Sequence, residues 1–198
     1  MAVTKQAIIE VSIDILNRDG IENLSMRTIA KALGVKAAAL YNHISGKQEL
    51  FAIIMERLCM GIELPEEDLP PLDYLMAAHK AYRQILLTVR DSVVVAENSL
   101  PVTPKRVEII RGISNKLMEF GVSRENLMTV SNMLNNYVLS FTADEARIKN
   151  APPEMLKNFK DMLAPDERVM FISQRDYDVQ FEYGLRILFA GIKAVQQI

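Results

Sequence analysis

Arg27, Lys31, Lys36 and Lys47 are basic, and no acidic residue lies between Glu22 and Glu49. The chain as a whole carries a net charge of −2, so this is a local excess. Such a patch suits a phosphate backbone, and release of the counterions it displaces makes binding salt-dependent. A solvated basic face on an ordinary helical domain looks similar, so the charge gains meaning only from the residues between the cations. Those residues follow a helix–turn–helix register. Ala30 is small where two helices would cross closely. Gly34 follows four residues later and suits the left-handed conformation that ends a first helix. Val35 and Leu40 then supply the apolar contacts that would lock a short second helix against the first. This arrangement puts one helix into the major groove of DNA.

Other chemistry finds little support. His43 and His79 are the only histidines, and neither belongs to an H-E-x-x-H or E-x-x-H arrangement. Zinc-hydrolase and di-iron readings therefore lack ligands. No Gly-rich phosphate loop and no G-x-S-x-G elbow occurs. We expect no enzyme, no metal site and no cofactor. His43 falls at the end of the second helix of the motif, in a structural place or near phosphate. His79 reads as a solvated or internally satisfied histidine before a ligand contact. The single Cys59 has no intramolecular disulfide partner, which fits a reducing compartment. Met55, Met60, Met76, Met118, Met128 and Met133 fall on helices expected around a cavity. Methionine suits an apolar pocket, although core filling explains each one taken singly.

The elements that would position these residues are helical throughout. The chain has 198 residues, 49% of them apolar, enough for a sizeable core, and strand-type alternation is nearly absent. An all-α protein is expected. Thr4 caps a first helix to about Asn17, which Asp19-Gly20 ends. Ser25 caps the second, and the third runs from Lys36 to Asn42. Ser45 with Gln48 reads as a capping box for a fourth helix reaching Ile62. Leu64 to Pro71, with its prolines and acidic residues, is a loop and a candidate seam. Further helices span about Leu72–Val89, Val93–Ser99 and Pro104–Phe120. Ser123 caps one to Lys149, Pro152-Pro153 opens a looser stretch of short helical pieces, and a last helix covers Tyr177–Gln196. Phe181, Gly184, Leu185, Leu188, Gly191, Ile192 and Val195 make an apolar, small-residue stripe there, which favours a subunit interface. No run approaches eighteen apolar residues, so no membrane span is expected. Lys5, Glu10 and Asp14 do not suit a signal peptide, so the cytoplasm is the expected location.

The first fifty residues resemble the TetR family of bacterial transcriptional regulators. The match rests on Gly20-Ile21-Glu22-Asn23-Leu24-Ser25-Met26-Arg27, Ile29-Ala30, Leu33-Gly34-Val35, Leu40-Tyr41-Asn42-His43 and Lys47-Gln48-Glu49-Leu50. A weaker likeness to the ligand-binding domain of the tetracycline-responsive members continues through Arg90-Asp91, Gly121 to Asn126 and Tyr183-Gly184-Leu185 to Gly191-Ile192. The resemblance implies a helix–turn–helix DNA-binding domain over residues 1–46. It implies an effector-binding and dimerisation domain over 47–198, in a homodimer joined through a four-helix bundle. The tetracycline-responsive members hold magnesium with a histidine. The matching position here is Ala96, with a supporting carboxylate matched by Asp144, so magnesium-tetracycline is not the expected effector.

The resemblance also assigns roles. Arg27, Lys36, Ala38 and Asn42 would face base edges, and Tyr41 and Lys47 would hold phosphates. The chemistry agrees, since Arg or Lys pairs with guanine, Asn brackets adenine and a methyl meets thymine. Ala37-Ala38-Ala39 offers few hydrogen-bonding groups, so some reliance on DNA shape is expected. A largely apolar small-molecule effector would contact some of Tyr82, Asn98, Ser99, Ile113, Met128, Asn132 and Asn135. The subunit seam would centre on Leu134, Val138, Phe141, Leu185, Leu188 and Ile192. Two readings follow: a repressor on palindromic double-stranded operator DNA released by an effector, or an effector-independent or architectural DNA-binding protein with a filled core.

Overall fold

Local signals set the helix ends in the first part of the chain. Thr4 Oγ1 accepts the Ala7 N–H at 3.1 Å and starts α1 (Lys5–Asp19). Gly20, at φ 81°, ends it, its N–H reaching the Ile15 and Leu16 carbonyls. A 3-10 turn (Ile21–Asn23) leads to Ser25, whose Oγ accepts the Thr28 N–H at 3.1 Å and caps α2 (Met26–Ala32). Past its end stands Gly34 at φ 68°. The Val35 N–H bonds the Ala30 carbonyl at 3.0 Å and the Gly34 N–H bonds the Lys31 carbonyl at 3.2 Å. Both bonds satisfy terminal carbonyls of α2 and turn the chain into α3 (Ala37–Leu40). This helix is shorter than its sequence suggests. Tyr41, Asn42 and His43 form a turn, because the N–H groups of His43 and Ile44 both close onto the Leu40 carbonyl and Ile44 goes into the core.

The computed structural model describes residues 3–167 and 176–195. Its further helices are α4 (Lys47–Cys59), α5 (Pro71–Leu86), α6 (Ser92–Glu97), α7 (Pro104–Glu119), α8 (Leu127–Lys149), α9 (Pro153–Met162) and α10 (Tyr177–Val195). No strand occurs among the described residues. Two compact units divide the chain, Met1–Leu127 and Met128–Ile198.

In the first unit α4 is buried on more than one side, with Leu50, Phe51, Ala52, Ile54, Met55, Leu58 and Cys59 all inside. It packs against α1 and against α5, α6 and α7. The start of α4 corrects the sequence expectation. Gly46 holds the cap position without a side-chain bond, and Gln48 does not reach back. Glu49 does instead: its carboxylate accepts the Ser45 N–H at 2.7 Å and the Ser45 hydroxyl at 2.9 Å, and receives the Lys5 ammonium of α1 at 2.9 Å. A second tie joins the end of α1 to the corner between α5 and α6. The Asp91 carboxylate accepts the Ile21 N–H at 2.8 Å, and Asn17 Oδ1 accepts the Arg90 N–H at 2.9 Å. Asp91 itself is left-handed, at φ 60°. The approach is so close that a Cβ on Gly20 would sit 2.8 Å from Arg90 Nη2.

The proline-rich loop before α5 lies inside this unit and forms no seam. Lys116 of α7 donates to the Glu67 carbonyl at 2.6 Å and lies over the Tyr74 ring, 5.6 Å from its centroid. Gly112 lets α5 and α7 cross, since a Cβ there would lie 2.7 Å from Tyr74 Oη.

In the second unit α8 begins at Leu127, after a turn in which the Asn126 N–H bonds the Ser123 carbonyl. Ser123 therefore does not cap it. The stretch opened by Pro152-Pro153 holds one ten-residue helix, α9; positions 168–175, and the expected end of the last helix at Gln196, lie outside the described residues. Helices α8 and α10 join through aromatic rings. Tyr137 stacks on Phe181 at 5.3 Å, and Phe141 meets Phe181 at 5.2 Å and Tyr177 at 6.4 Å. Tyr137 Oη donates to the Phe181 carbonyl at 3.0 Å and lies 2.1 Å from where a Gly184 Cβ would be. Gly184 thus serves a close approach within one chain.

This packing takes four of the six residues of the expected subunit seam into the chain's own core and leaves Phe141 and Leu188 half-buried. Leu134, Val138 and Leu185 are fully buried in the single chain, and Ile192 nearly so. They belong to the chain's own core. The open apolar positions of α10 are Val179, Tyr183, Ile187 and Val195, between 55% and 70% exposed, along a ridge of four-residue steps that winds slowly around the helix.

The Lys5–Glu49–Ser45 tie makes a testable statement about acid stability. The Lys5 ammonium, aided by the Ser45 N–H and hydroxyl, holds the Glu49 carboxyl down at about 2 from an ordinary 4.5. A carboxyl depressed by folding contributes stability that is present above 4.5 and lost as the pH falls toward 2. Glu49→Gln should lower the melting temperature near neutral pH and narrow the gap from wild type at pH about 2 to 3. Thermal unfolding followed by circular dichroism across that range checks both.

Candidate nucleic-acid interface and effector site

Arg27, Lys36, Ala38, Tyr41, Asn42 and Lys47 are all exposed. Arg27 lies in the first turn of α2, Lys36 at the cap of α3, Ala38 within α3, Tyr41 and Asn42 in the turn after it, and Lys47 at the first position of α4. The burial of Ile29, Ala30, Leu40 and Ile44 beneath them holds α2 and α3 together and leaves these positions to water. Among the described residues, Arg27, Lys31, Lys36 and Lys47 take part in no ion pair. Lys47 Nζ sits 5.2 Å above the Phe51 ring. The bordering carboxylate of Glu49 is spent on Lys5 and Ser45. The face therefore carries positive charge with no ion-pair partner, one exposed methyl at Ala38 and the Asn42 amide. That set serves both phosphate contact and base reading.

The expected effector residues fall in several places. Tyr82 on α5 is half-buried, and burial holds its phenol far above the ordinary range, the Cys59 thiol adding to the rise and the Arg106 guanidinium opposing it. Burial likewise pushes the Cys59 thiol up to about 11. Ser99 is buried and accepts from Arg106 Nη1 at 2.8 Å. Ile113 is half-buried on α7. Asn98 is exposed, donates to the Val94 carbonyl at 2.8 Å, and borders an open cleft of about 310 Å³ beside Lys47, Phe51 and Ile21. Neither Tyr82 nor Ser99 lines that cleft. Met128, Asn132 and Asn135 are exposed on α8, in the second unit.

Two residues escape the sequence reading. Arg106 meets Ser99 and lies near both Tyr82 and Cys59; its spacing to Ile109 and Ile113 on one face of α7 is the signal that could have found it. Glu56 of α4 has no such signal. Its carboxylate accepts the Lys105 N–H at 2.9 Å and caps α7 from another helix. His79 is buried with Nδ1 2.6 Å from the Leu75 carbonyl, and burial lowers its pKa, so it is an internally satisfied, neutral histidine. Ala96 is buried, and Asp144 is exposed and paired with Arg147. Among the described residues no group of three or more His, Cys, Asp or Glu side chains is placed to hold a metal ion, and no helix is long and apolar enough to cross a membrane.

This architecture, an exposed basic helix–turn–helix head carried on a helical core, defines a DNA-binding regulator. Residues 8–54 match the family of bacterial regulatory proteins known as the tetR family, and residues 72–196 match the tetracyclin repressor-like C-terminal domain. The chain belongs to the tetR family, and it is a DNA-binding transcriptional regulator. An HTH-type transcriptional regulator of Saccharopolyspora erythraea is 25% identical, the alignment covering 97% of this chain and 85% of that one. The crystal structure of the Streptomyces coelicolor TetR family protein ActR in complex with (S)-DNPA shares the fold with a TM-score of 0.80, at 24% identity and 98% coverage of each chain. BioQ with its double-stranded DNA operator has a TM-score of 0.71, at 24% identity over 97% of this chain and 99% of that one.

The division of labour on the head is open to measurement. Lys47→Ala should weaken binding to all duplexes alike and shallow the salt dependence. Asn42→Ala should instead relax preference at one base pair, by about 1–3 kcal/mol of discrimination. Binding of a duplex panel at several salt concentrations separates the two, and uniform loss in both variants would contradict the assignment.

Proposed function

We propose that the chain is a cytoplasmic repressor that acts as a homodimer on an inverted-repeat operator and is released by a small-molecule effector. The observation that carries this reading is the unpaired basic face of the head, joined by one shared helix, α4, to a core of α5, α6 and α7. Arg27, Lys36, Ala38 and Asn42 meet base edges, and Tyr41 and Lys47 hold phosphates. Two copies place two such heads about 34–36 Å apart, or a multiple of it, on one face of the duplex. The fold it shares with BioQ, solved on an operator, and with ActR, solved with a small molecule, supports both halves of the reading.

The α10 face of Val179, Tyr183, Ile187 and Val195 supports the dimer. This stripe passes over Gly191, where nothing stands within 4 Å of the place a Cβ would take, so a second helix finds room there. Ile187→Glu puts a charge into that contact and should yield monomers that no longer bind operator. Sedimentation of the variant as a dimer would remove this face as the interface.

The effector acts on the side of α4 remote from DNA, with Tyr82 on its contact surface. It releases operator only by favouring a conformation in which the heads are wrongly spaced. A hundredfold loss of operator affinity requires a preference of about 2.7 kcal/mol for that state. The deciding experiment selects bound duplexes from random DNA and then screens compounds for release. Tyr82→Ala should bind the selected operator as wild type does and fail to respond to the compound that releases wild type. A normal response from this variant would favour the effector-independent reading.

A further inference from the structure

Arg106 is half-buried in the first turn of α7, and its guanidinium is held by one corner only. Nη1 donates to Ser99 Oγ at 2.8 Å and to the Leu100 carbonyl at 2.9 Å. Ser99, buried and itself donating to the Ala96 carbonyl at 3.2 Å, fixes that corner. Among the described residues the Nε–Nη2 edge, the one that meets a carboxylate side-on, has no hydrogen-bond acceptor and no ion-pair partner. The carboxylate at this end of the helix, Glu56, is taken up by the Lys105 and Arg106 backbone amides. The Lys105 ammonium is paired with Glu108.

Two hydroxyls of the same region also lack partners, Tyr82, which feels the Arg106 charge, and Thr103, three residues before Arg106. The Tyr82 hydroxyl makes no hydrogen bond among the described residues, and burial keeps it protonated, so it is a donor. Thr103 Oγ1, at the head of α7, is buried and has no hydrogen-bond partner. A guanidinium edge without an acceptor leaves strong donors open, and a buried hydroxyl without a partner is costly. An acceptor-rich anion would satisfy the open edge of Arg106, and the half-buried Tyr82 ring is the apolar neighbour beside it.

We propose that Arg106, fixed by Ser99 and assisted by the Tyr82 hydroxyl, forms the anion-recognition point of the effector site, and that the effector is a carboxylic acid on an apolar body. This rests on the effector reading above and changes it: the ligand is amphipathic, with its charge read by α7. Arg106 touches the ligand, and Ser99 acts through Arg106 as a positioning residue.

Two compounds of nearly equal shape test it, 2-naphthoic acid and 2-naphthamide. The chain has no tryptophan, so naphthalene emission is read without indole background. Near neutral pH the full-length wild-type protein should bind the acid at least about tenfold more tightly than the amide, as a charge-assisted pair requires. Arg106→Gln should lose most of that preference while binding the amide as before, and Arg106→Lys should keep part of it. Equal binding of acid and amide by wild type overturns the proposal without needing any variant. Full retention of the preference in a helical, folded Arg106→Gln protein overturns it as well, as does binding of neither compound. The effector reading is judged separately: if Tyr82→Ala weakens acid and amide alike while wild type makes no distinction between them, the site stands and its anion recognition falls.

Discussion

Helix α4 turns most of its circumference away from water. Leu50, Ile54 and Met55 are buried to the last few percent, and Phe51, Leu58 and Cys59 nearly so. A helix with that much apolar surface is stable only when sandwiched. On one side it takes α1, on the other α5, α6 and α7. The position of the basic head on the core follows from this single requirement, and the polar ties at Glu49, Asp91 and Glu56 refine it. Each of these carboxylates accepts main-chain N–H groups, so each fixes the path of the backbone and not merely the position of another side chain.

The same arrangement explains how a ligand near α5 and α7 would be felt at DNA. Interiors are densely packed and transmit displacement poorly by compression and well by rigid shift. Glu56 grips the start of α7, and Glu49 grips the loop that follows α3, both from the one helix. Movement of the first turn of α7 would therefore be carried along α4 from Glu56 to Glu49, seven residues away on the same rod, and from there to Ser45 in the loop beside the exposed basic face.

Much of this was legible in the sequence where the signals are local. Thr4, Ser25 and Gly34 announce their helix ends because each acts on amides or carbonyls within a few positions. The basic, acid-free interval between Glu22 and Glu49 marked the face that the structure leaves open. What was not legible depends on distant partners. Glu49 outcompeted Gln48 at the start of α4 because Lys5, far back in the chain, adds a third contact. The shortness of α3 follows from burial of Ile44, which local propensity does not report. The last helix shows why most of the expected seam residues went to the core: α10 carries one apolar face at Phe181, Leu185 and Phe189 and another at Val179, Tyr183 and Ile187. Periodicity reveals both and cannot say which one its own chain covers. Among the effector residues, an apolar pattern on α5 and α7 was readable, whereas the lone charge of Arg106 gained its meaning only from what fails to neutralise it.

Gly20 and Gly34 share a positive φ and look interchangeable in the sequence, yet they stand in opposite surroundings. Nothing lies within 4 Å of where a side chain on Gly34 would begin, so only the backbone conformation resists replacement there, and asparagine tolerates that conformation well. At Gly20 the Arg90 guanidinium and the Asp91 carboxylate already fill the space. A side chain there would have to displace the Arg90 guanidinium and crowd the Asp91 carboxylate that accepts the Ile21 N–H. Drift in sequence is therefore cheap at the turn that shapes the reading surface and closed at the joint that seats it.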